Sequence, residues 1–145
     1  MKFQMSFGVI NLLNDHIAEV IIDEGTHMSL EMCEEYDELL LNIFDRPFGL
    51  LINKLNNYSY TFEAKLHIAS LSHLKAMAVI HYNSEAEQKT NDLLALRETD
   101  KWNLKTFCGL QMGREKAIAW LDKAVAKHHQ DSNQLANSLD SDLDS

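Results

Sequence analysis

The sequence predicts an α/β protein: a mixed β-sheet, hairpin first and parallel strands after it, packed by four helices. Three observations predict it. Two β-rich runs, residues 7–13 and 17–22, are separated by the turn residues Asn14-Asp15, the pattern of a β-hairpin. Two later runs, residues 48–52 and 76–82, are apolar without alternation, as strands buried on both faces are. Apolar residues at helical spacing follow each of these runs. Strands that alternate with helices join in parallel.

Each element has its own local reason. In the strand at 17–22, Ile17, Glu19 and Ile21 alternate with Ala18, Val20 and Ile22. One face is wholly apolar and the other carries a single charge, so the strand is mostly buried. Asp23-Glu24-Gly25 breaks it. Ser29 is placed to cap a helix over 30–45, with Met28 and Cys33 as a hydrophobic staple. Met32, Tyr36, Leu39, Leu40 and Ile43 form its apolar stripe, and Glu31 suits its positive end. Pro47 ends it, because the residue before a proline avoids the helical region. A strand at 48–53 leads to a helix over 61–70, with Phe62, Leu66 and Ala69 on one side. A strand at 76–82 leads to a helix over 85–97 opened by the capping box Ser84 and Glu87. A last strand at 103–107 and the turn glycines Gly109 and Gly113 precede a helix over 114–126. There Ala117, Trp120, Leu121, Ala124 and Val125 share a face, so Trp120 and Leu121 are expected against the sheet.

Residues 1–127 read as one folded domain and residues 128–145 as a disordered acidic tail. The tail holds Asp131, Asp140, Asp142 and Asp144 with no Lys, Arg or aromatic residue, too little apolar area to offset its ordering entropy.

The 145 residues are 46% hydrophobic and 24% charged, an ordinary globular composition. With 22 acidic and 13 basic residues the net charge is −9. That balance argues against sequence-independent nucleic-acid binding, which needs clustered cations, and against docking on anionic lipid. From Asp23 to Asp45 the chain carries eight acids and no Lys or Arg, which reads as a solvated helix face. Cys33 and Cys108 are too few for a disulfide framework or zinc spacing. The N-terminus lacks the apolar core of a signal peptide, and no run is long enough to span a bilayer. A cytoplasmic chain without a membrane span is expected.

No nucleotide-binding, acyl-transfer or zinc-protease signature is present. The histidines lack the spacing of helical metal ligands and read as isolated side chains, so no metal and no cofactor are expected. The informative segment is the loop after the strand at 48–53. In open α/β sheets ligands sit at the carboxyl ends of the strands. Asn53, Lys54, Asn57, Tyr58 and Tyr60 are the candidate contact residues. The tyrosines can act as amphipathic anchors for a partner, as a lid over a small ligand, or as plugs of the sheet's end, one at the surface and one against the core. Lys54 is the only cation of the loop and can orient an acidic group. Ser59 and Thr61 are both helix-cap candidates. A hydroxyl at that place is also a phosphoacceptor candidate, because a phosphate there meets free backbone N–H groups.

The hairpin, the acidic helix M-S-L-E-M-C-E-E-Y, the strand-loop-helix L-L-I-N-K-L-N-N-Y-S-Y-T-F-E-A, the strand A-M-A-V-I-H-Y-N-S and the ending W-N-L-K-T-F…R-E-K-A-I-A-W-L together resemble small bacterial STAS-like proteins of the SpoIIAA-like, anti-sigma-factor-antagonist type. The resemblance covers residues 6–122. It implies a STAS-like fold and a signalling role in which a kinase modifies a hydroxyl in the loop after the central strand. Ser59 is the nearest match and Thr61 the second. The family's D-S-x-G-like motif is not reproduced: no Asp precedes Ser59 and no Gly follows it. Related domains also imply an apolar or nucleotide-like ligand. The expectation is a non-catalytic binding or regulatory protein that contacts a protein partner through residues 53–61. The alternative is a carrier or sensor of a lipid-like or other small molecule, held in a cavity beneath the helix at 61–70 and lined by residues such as Phe62 and Leu66. No catalytic residues are expected, since Lys54 and the tyrosines are the only titratable groups local to the loop.

Overall fold

The structure, a computed structural model, describes the backbone of residues 1–143 and the side chains of residues 1–129. Its centre is a six-stranded mixed sheet in the order β1-β2-β3-β5-β7-β8. The strands are β1 (Lys2–Met5), β2 (Gly8–Leu12), β3 (Ile17–Ile22), β5 (Phe48–Asn53), β7 (Leu74–His81) and β8 (Leu104–Cys108). Two short strands, β4 (His27–Met28) and β6 (Ser59–Tyr60), pair with each other beside it. The helices are α1 (Leu30–Ile43), α2 (Phe62–His67), α3 (Ser84–Leu96) and α4 (Gly113–Leu143).

The hairpin forms as expected: β2 and β3 are antiparallel, with Leu12 opposite Ala18. The Asn14 side chain stabilises the turn by accepting the His16 N–H at 2.9 Å. β3, β5, β7 and β8 then run parallel. The sequence reading missed β1, which pairs antiparallel with β2 through Lys2↔Asn11 and Met5↔Gly8. Its alternation, Lys2 and Gln4 exposed against half-buried Phe3 and Met5, is that of an edge strand. Phe7 belongs to the bend between β1 and β2, so the second strand starts at Gly8 rather than at residue 7.

Ser29 caps α1, its hydroxyl accepting the Met32 N–H at 3.3 Å, and Met28 and Cys33 are both fully buried. The helix ends at Ile43, before residue 45, with Phe44 extended and stacked on Phe48 at 4.4 Å. The cap of α3 is Asn83 and not Ser84: the Asn83 Oδ1 accepts the Ala86 N–H at 2.8 Å. An asparagine one residue upstream competes for the same role. α2 stops at His67, short of residue 70, because Ala69 takes a left-handed φ of 60°. Arg97, from the end of α3, then satisfies the freed carbonyls of Lys65 and Ile68 at 2.9 and 2.7 Å.

The two faces of the sheet are covered differently. α4 alone covers one face, where Ala117, Leu121 and Val125 meet Ile17, Leu51, Ala76, Ala78 and Ile80. Leu121 is fully buried as expected, but Trp120 is half-buried and lies beside Phe107 of β8 at 6.2 Å. α1, α2 and α3 cover the other face, over Val20, Ile22, Leu50 and Met77.

α4 continues past residue 127. His129 is half-buried and its Nε2 lies 2.7 Å from the Pro47 carbonyl, so the folded domain reaches at least residue 129. The expectation of a disordered tail concerns residues whose side chains, from 130 on, lie outside the described residues. Among the described residues no helix is long and apolar enough to cross a membrane.

Candidate functional site

The site begins where β5 runs out of the sheet. Strand residues alternate between faces, so Asn53 and Lys54 point to opposite sides of the sheet and meet different chemistry.

On the α4 face, Asn53 is buried and fully engaged. Its Nδ2 donates to Glu19 Oε2 at 3.0 Å, and its Oδ1 accepts the Tyr82 hydroxyl at 2.9 Å. Glu19 also accepts two hydrogen bonds from Arg114 at the start of α4, at 3.0 and 3.1 Å. Burial acts to raise the Glu19 pKa. The hydrogen bonds from Arg114 and Asn53 outweigh it and hold the carboxyl below its usual value. The single charge that the sequence places on β3 is therefore a paired internal one. This network satisfies its own members, and Asn53 is not available as a surface contact.

On the other face Lys54 is only 8% exposed. Its backbone N–H donates to the Ile80 carbonyl at 3.0 Å, which continues the sheet by one residue and aims the side chain inward. Among the described residues the ammonium is in no ion pair with a carboxylate; the Tyr58 ring lies 5.4 Å from Nζ to the ring centre. Burial, with a smaller contribution from the Lys89 charge, pushes its pKa down to about 8.

Lys54 stands at the junction of two hollows. The inner one is an apolar cavity of about 50 Å³ between the sheet and the three helices above it. Val20, Ile52 and Val79 form its floor, Leu93 and Tyr36 part of its roof, and Trp102 its far end. The outer one is a vestibule of about 340 Å³ bordered by Tyr58, Phe62, Lys65, Lys89 and Asp92. Lys54, Tyr60 and Leu93 line both.

The loop that carries Lys54 is tied down. Asn56 donates to the Ile22 carbonyl at 2.9 Å, the Asn57 N–H donates to Glu24 at 2.7 Å, and Ser59 and Thr61 donate to the carbonyls of Thr26 and Met28 at 3.0 and 2.9 Å. Lys89 from α3 reaches Asn57 Oδ1 at 2.8 Å and the Tyr58 carbonyl at 3.1 Å. The result is a fixed rim rather than an adaptable strand of chain.

Both loop tyrosines turn inward, whereas the sequence allowed one at the surface. Tyr58 is 7% exposed, and its hydroxyl makes no well-formed hydrogen bond, only a weak contact with the Tyr60 hydroxyl. Tyr60 is half-buried, and the two rings meet edge to face at 5.6 Å. Burial pushes Tyr58 well above the usual tyrosine pKa and Tyr60 up to about 12, so both stay neutral hydroxyls near pH 7. Asn57 is the one candidate contact residue that is exposed.

The two phosphoacceptor candidates have separate roles. Thr61 caps α2, accepting the Ala64 N–H at 3.1 Å. Ser59 lies within β6, paired with His27, and its Oγ is 2.7 Å from His27 Nδ1. It is not the cap, and the helix it precedes is too short for a strong dipole.

Sequence reasoning found Lys54 and the tyrosines but missed Tyr36, Thr90, Leu93 and Trp102, which other elements bring to the cavity. It expected Phe62 and Leu66 in the cavity lining, whereas both face outward from α2 and are exposed. Leu93-Leu94 on an otherwise polar helix was the available signal. Among the described residues no cluster of His, Cys, Asp and Glu is placed to hold a metal ion. Cys33 is a packed thiol whose pKa burial pushes up to about 11, which removes it as a nucleophile. No family model, curated protein or solved structure matches the chain.

Proposed function

We propose that this protein binds a small, largely apolar molecule at the carboxyl end of β5, as a carrier or sensor. The observation that carries the reading is the pairing of an apolar cavity with a fixed vestibule, joined at a buried lysine. Ligand sites of this kind are apolar hollows with a few convergent polar groups. The rim is held by backbone and side-chain hydrogen bonds, so ordering it on binding costs little. The alternative use of the cavity, simple loose packing, would leave no reason for an ammonium at its neck.

The second reading is a STAS-like regulatory protein that meets a partner through the same loop. It is favoured by the exposure of Phe62 and Leu66, 63% and 50%, one helical turn apart on α2 beside the vestibule. In that case α2 rather than Tyr58 supplies the contact area, because Tyr58 is buried.

Leu93→Trp tests the first reading. Leu93 lines both hollows, so the larger ring fills the neck. An apolar fluorescent probe should bind the parent and lose its binding in Leu93→Trp while the circular dichroism spectrum is unchanged. Equal binding to both proteins would move the ligand elsewhere.

A further inference from the structure

The polar groups around the cavity neck are unbalanced in kind. Lys54 offers an ammonium without a carboxylate among the described residues. Tyr58 offers a buried hydroxyl, 7% exposed on the vestibule wall, that makes no well-formed hydrogen bond and has the Tyr60 hydroxyl as its weak side-chain neighbour. Both are donors. A buried donor left unpaired costs free energy, and a buried charge costs more. The missing component is therefore an acceptor, and one that carries negative charge. Its size is limited by its surroundings. Lys65 and Lys89 stand on the vestibule side, with Asp92 on the same wall and Glu85 3.7 Å from the Lys89 ammonium. The inner cavity is small, about 50 Å³, and lined by Val20, Ile52, Val79 and Leu93, which suits a slender hydrocarbon chain better than a bulky ring system.

We propose that the ligand is an unbranched amphipathic monocarboxylate, whose carboxylate takes the Lys54 ammonium and the Tyr58 hydroxyl while its hydrocarbon chain enters the apolar cavity. The inference rests on the pocket reading above and adds the chemical class. A carboxylate has two oxygens and accepts both donors at once. Hydrogen bonds to charged groups are about twice as strong as neutral ones, and a low-dielectric neck strengthens the ion pair further. A neutral molecule of the same shape would leave the ammonium uncompensated.

Binding of such an anion should also depend on pH through Lys54. The charged and titratable groups around it are Tyr36 from α1, Tyr58 and Tyr60 from the loop, Lys65 from α2, and Lys89 and Asp92 from α3. Burial holds Tyr36, Tyr58 and Tyr60 above their ordinary pKa, which leaves Lys54 as the group that changes charge near pH 8.

The test is calorimetric titration of the full chain with two probes, octanoate and octanol, which share a hydrocarbon chain and differ in the head. The parent should bind octanoate roughly tenfold or more tightly than octanol. Lys54→Met should abolish that preference and keep octanol binding. Tyr58→Phe, which retains the ring, should reduce octanoate affinity several-fold and leave octanol unchanged. In the parent, octanoate affinity should be constant from about pH 6 to about pH 8, where the probe is ionised, and fall above it, while octanol affinity is flat. If octanol binds the parent as well as octanoate does, the carboxylate class is wrong and the pocket reading stands. If neither probe binds, the pocket reading fails and this inference fails with it.

Discussion

The two faces of the sheet solve the same packing problem to different degrees. Under α4 the contact is complete. Ile17, Leu51, Ala78, Ile80, Ala117, Leu121 and Val125 are fully buried, and a Cβ on Gly49 would press on Leu121 and Val125 at 3.0 and 3.1 Å. The one internal charge there, Glu19, is matched by Arg114 and Asn53. Under α1, α2 and α3 the contact is incomplete. A cavity remains, three tyrosines border it or its vestibule, and the buried lysine lacks a counter-charge among the described residues. One face is occupied by stability. The other withholds some of it, and incomplete satisfaction of that kind is characteristic of sites that bind something.

That comparison breaks or sharpens on measurement. The largest effect should come from Leu121→Ala. It deletes a fully buried side chain from a face with no slack, and the expected loss is about 2–5 kcal/mol in urea unfolding. Leu93→Ala on the cavity face should cost about 1 kcal/mol, since Leu93 is only half-buried beside an existing void. Equal losses would mean the two faces are packed alike.

Lys54→Met should act in the opposite direction and stabilise the unliganded protein by about 1–3 kcal/mol at pH 7, because an uncompensated buried ammonium is removed. The sign follows from linkage. The folded-state pKa, about 8, lies below the ordinary 10.5. Between those values the unfolded chain binds the extra proton, so the parent should gain stability as pH rises across that window. The variant should show no such rise from this group. A destabilised Lys54→Met would show that the lysine has an internal partner after all.

Arg114→Met tests the other charge. It should cost about 1–2 kcal/mol, a moderate figure because Arg114 is 44% exposed and solvent screens the pair. Glu19 has a lowered pKa in the fold, so its contribution is complete above the usual carboxylate range and disappears as pH falls through the lowered value. Without Arg114 that acid loss should begin at higher pH, as read from urea unfolding between neutral pH and pH 3. The smallest effect should be Thr61→Ala, about 1 kcal/mol from the α2 cap, whereas Ser59→Ala should leave α2 intact.

Most of the fold is legible in the chain because its signals are local. The apolar period of 48–53 and 76–82, the Ser29 cap and the Asn14-Asp15 turn each act over a few residues. The missed pieces are those whose signal is weak or contested. β1 is a short edge strand, and Asn83 and Ser84 are adjacent capping residues that only backbone geometry separates.

The site divides along the same line. The sequence by itself determined that a strand ends at Asn53, that a polar, aromatic loop follows, and that Lys54 is the loop's only cation. Tertiary structure alone decided what those residues do. Asn53 and Lys54 are neighbours in sequence, yet pleating sends one into a satisfied network and the other to the neck of a cavity. Tyr58 and Tyr60 turn inward because α1, α2 and α3 leave a hollow for them to border, and no local pattern encodes that hollow. It arises from Tyr36, Leu93 and Trp102, which lie far apart along the chain. Burial of Lys54 is thus a property of the assembled layers, and so is the chemistry that burial produces.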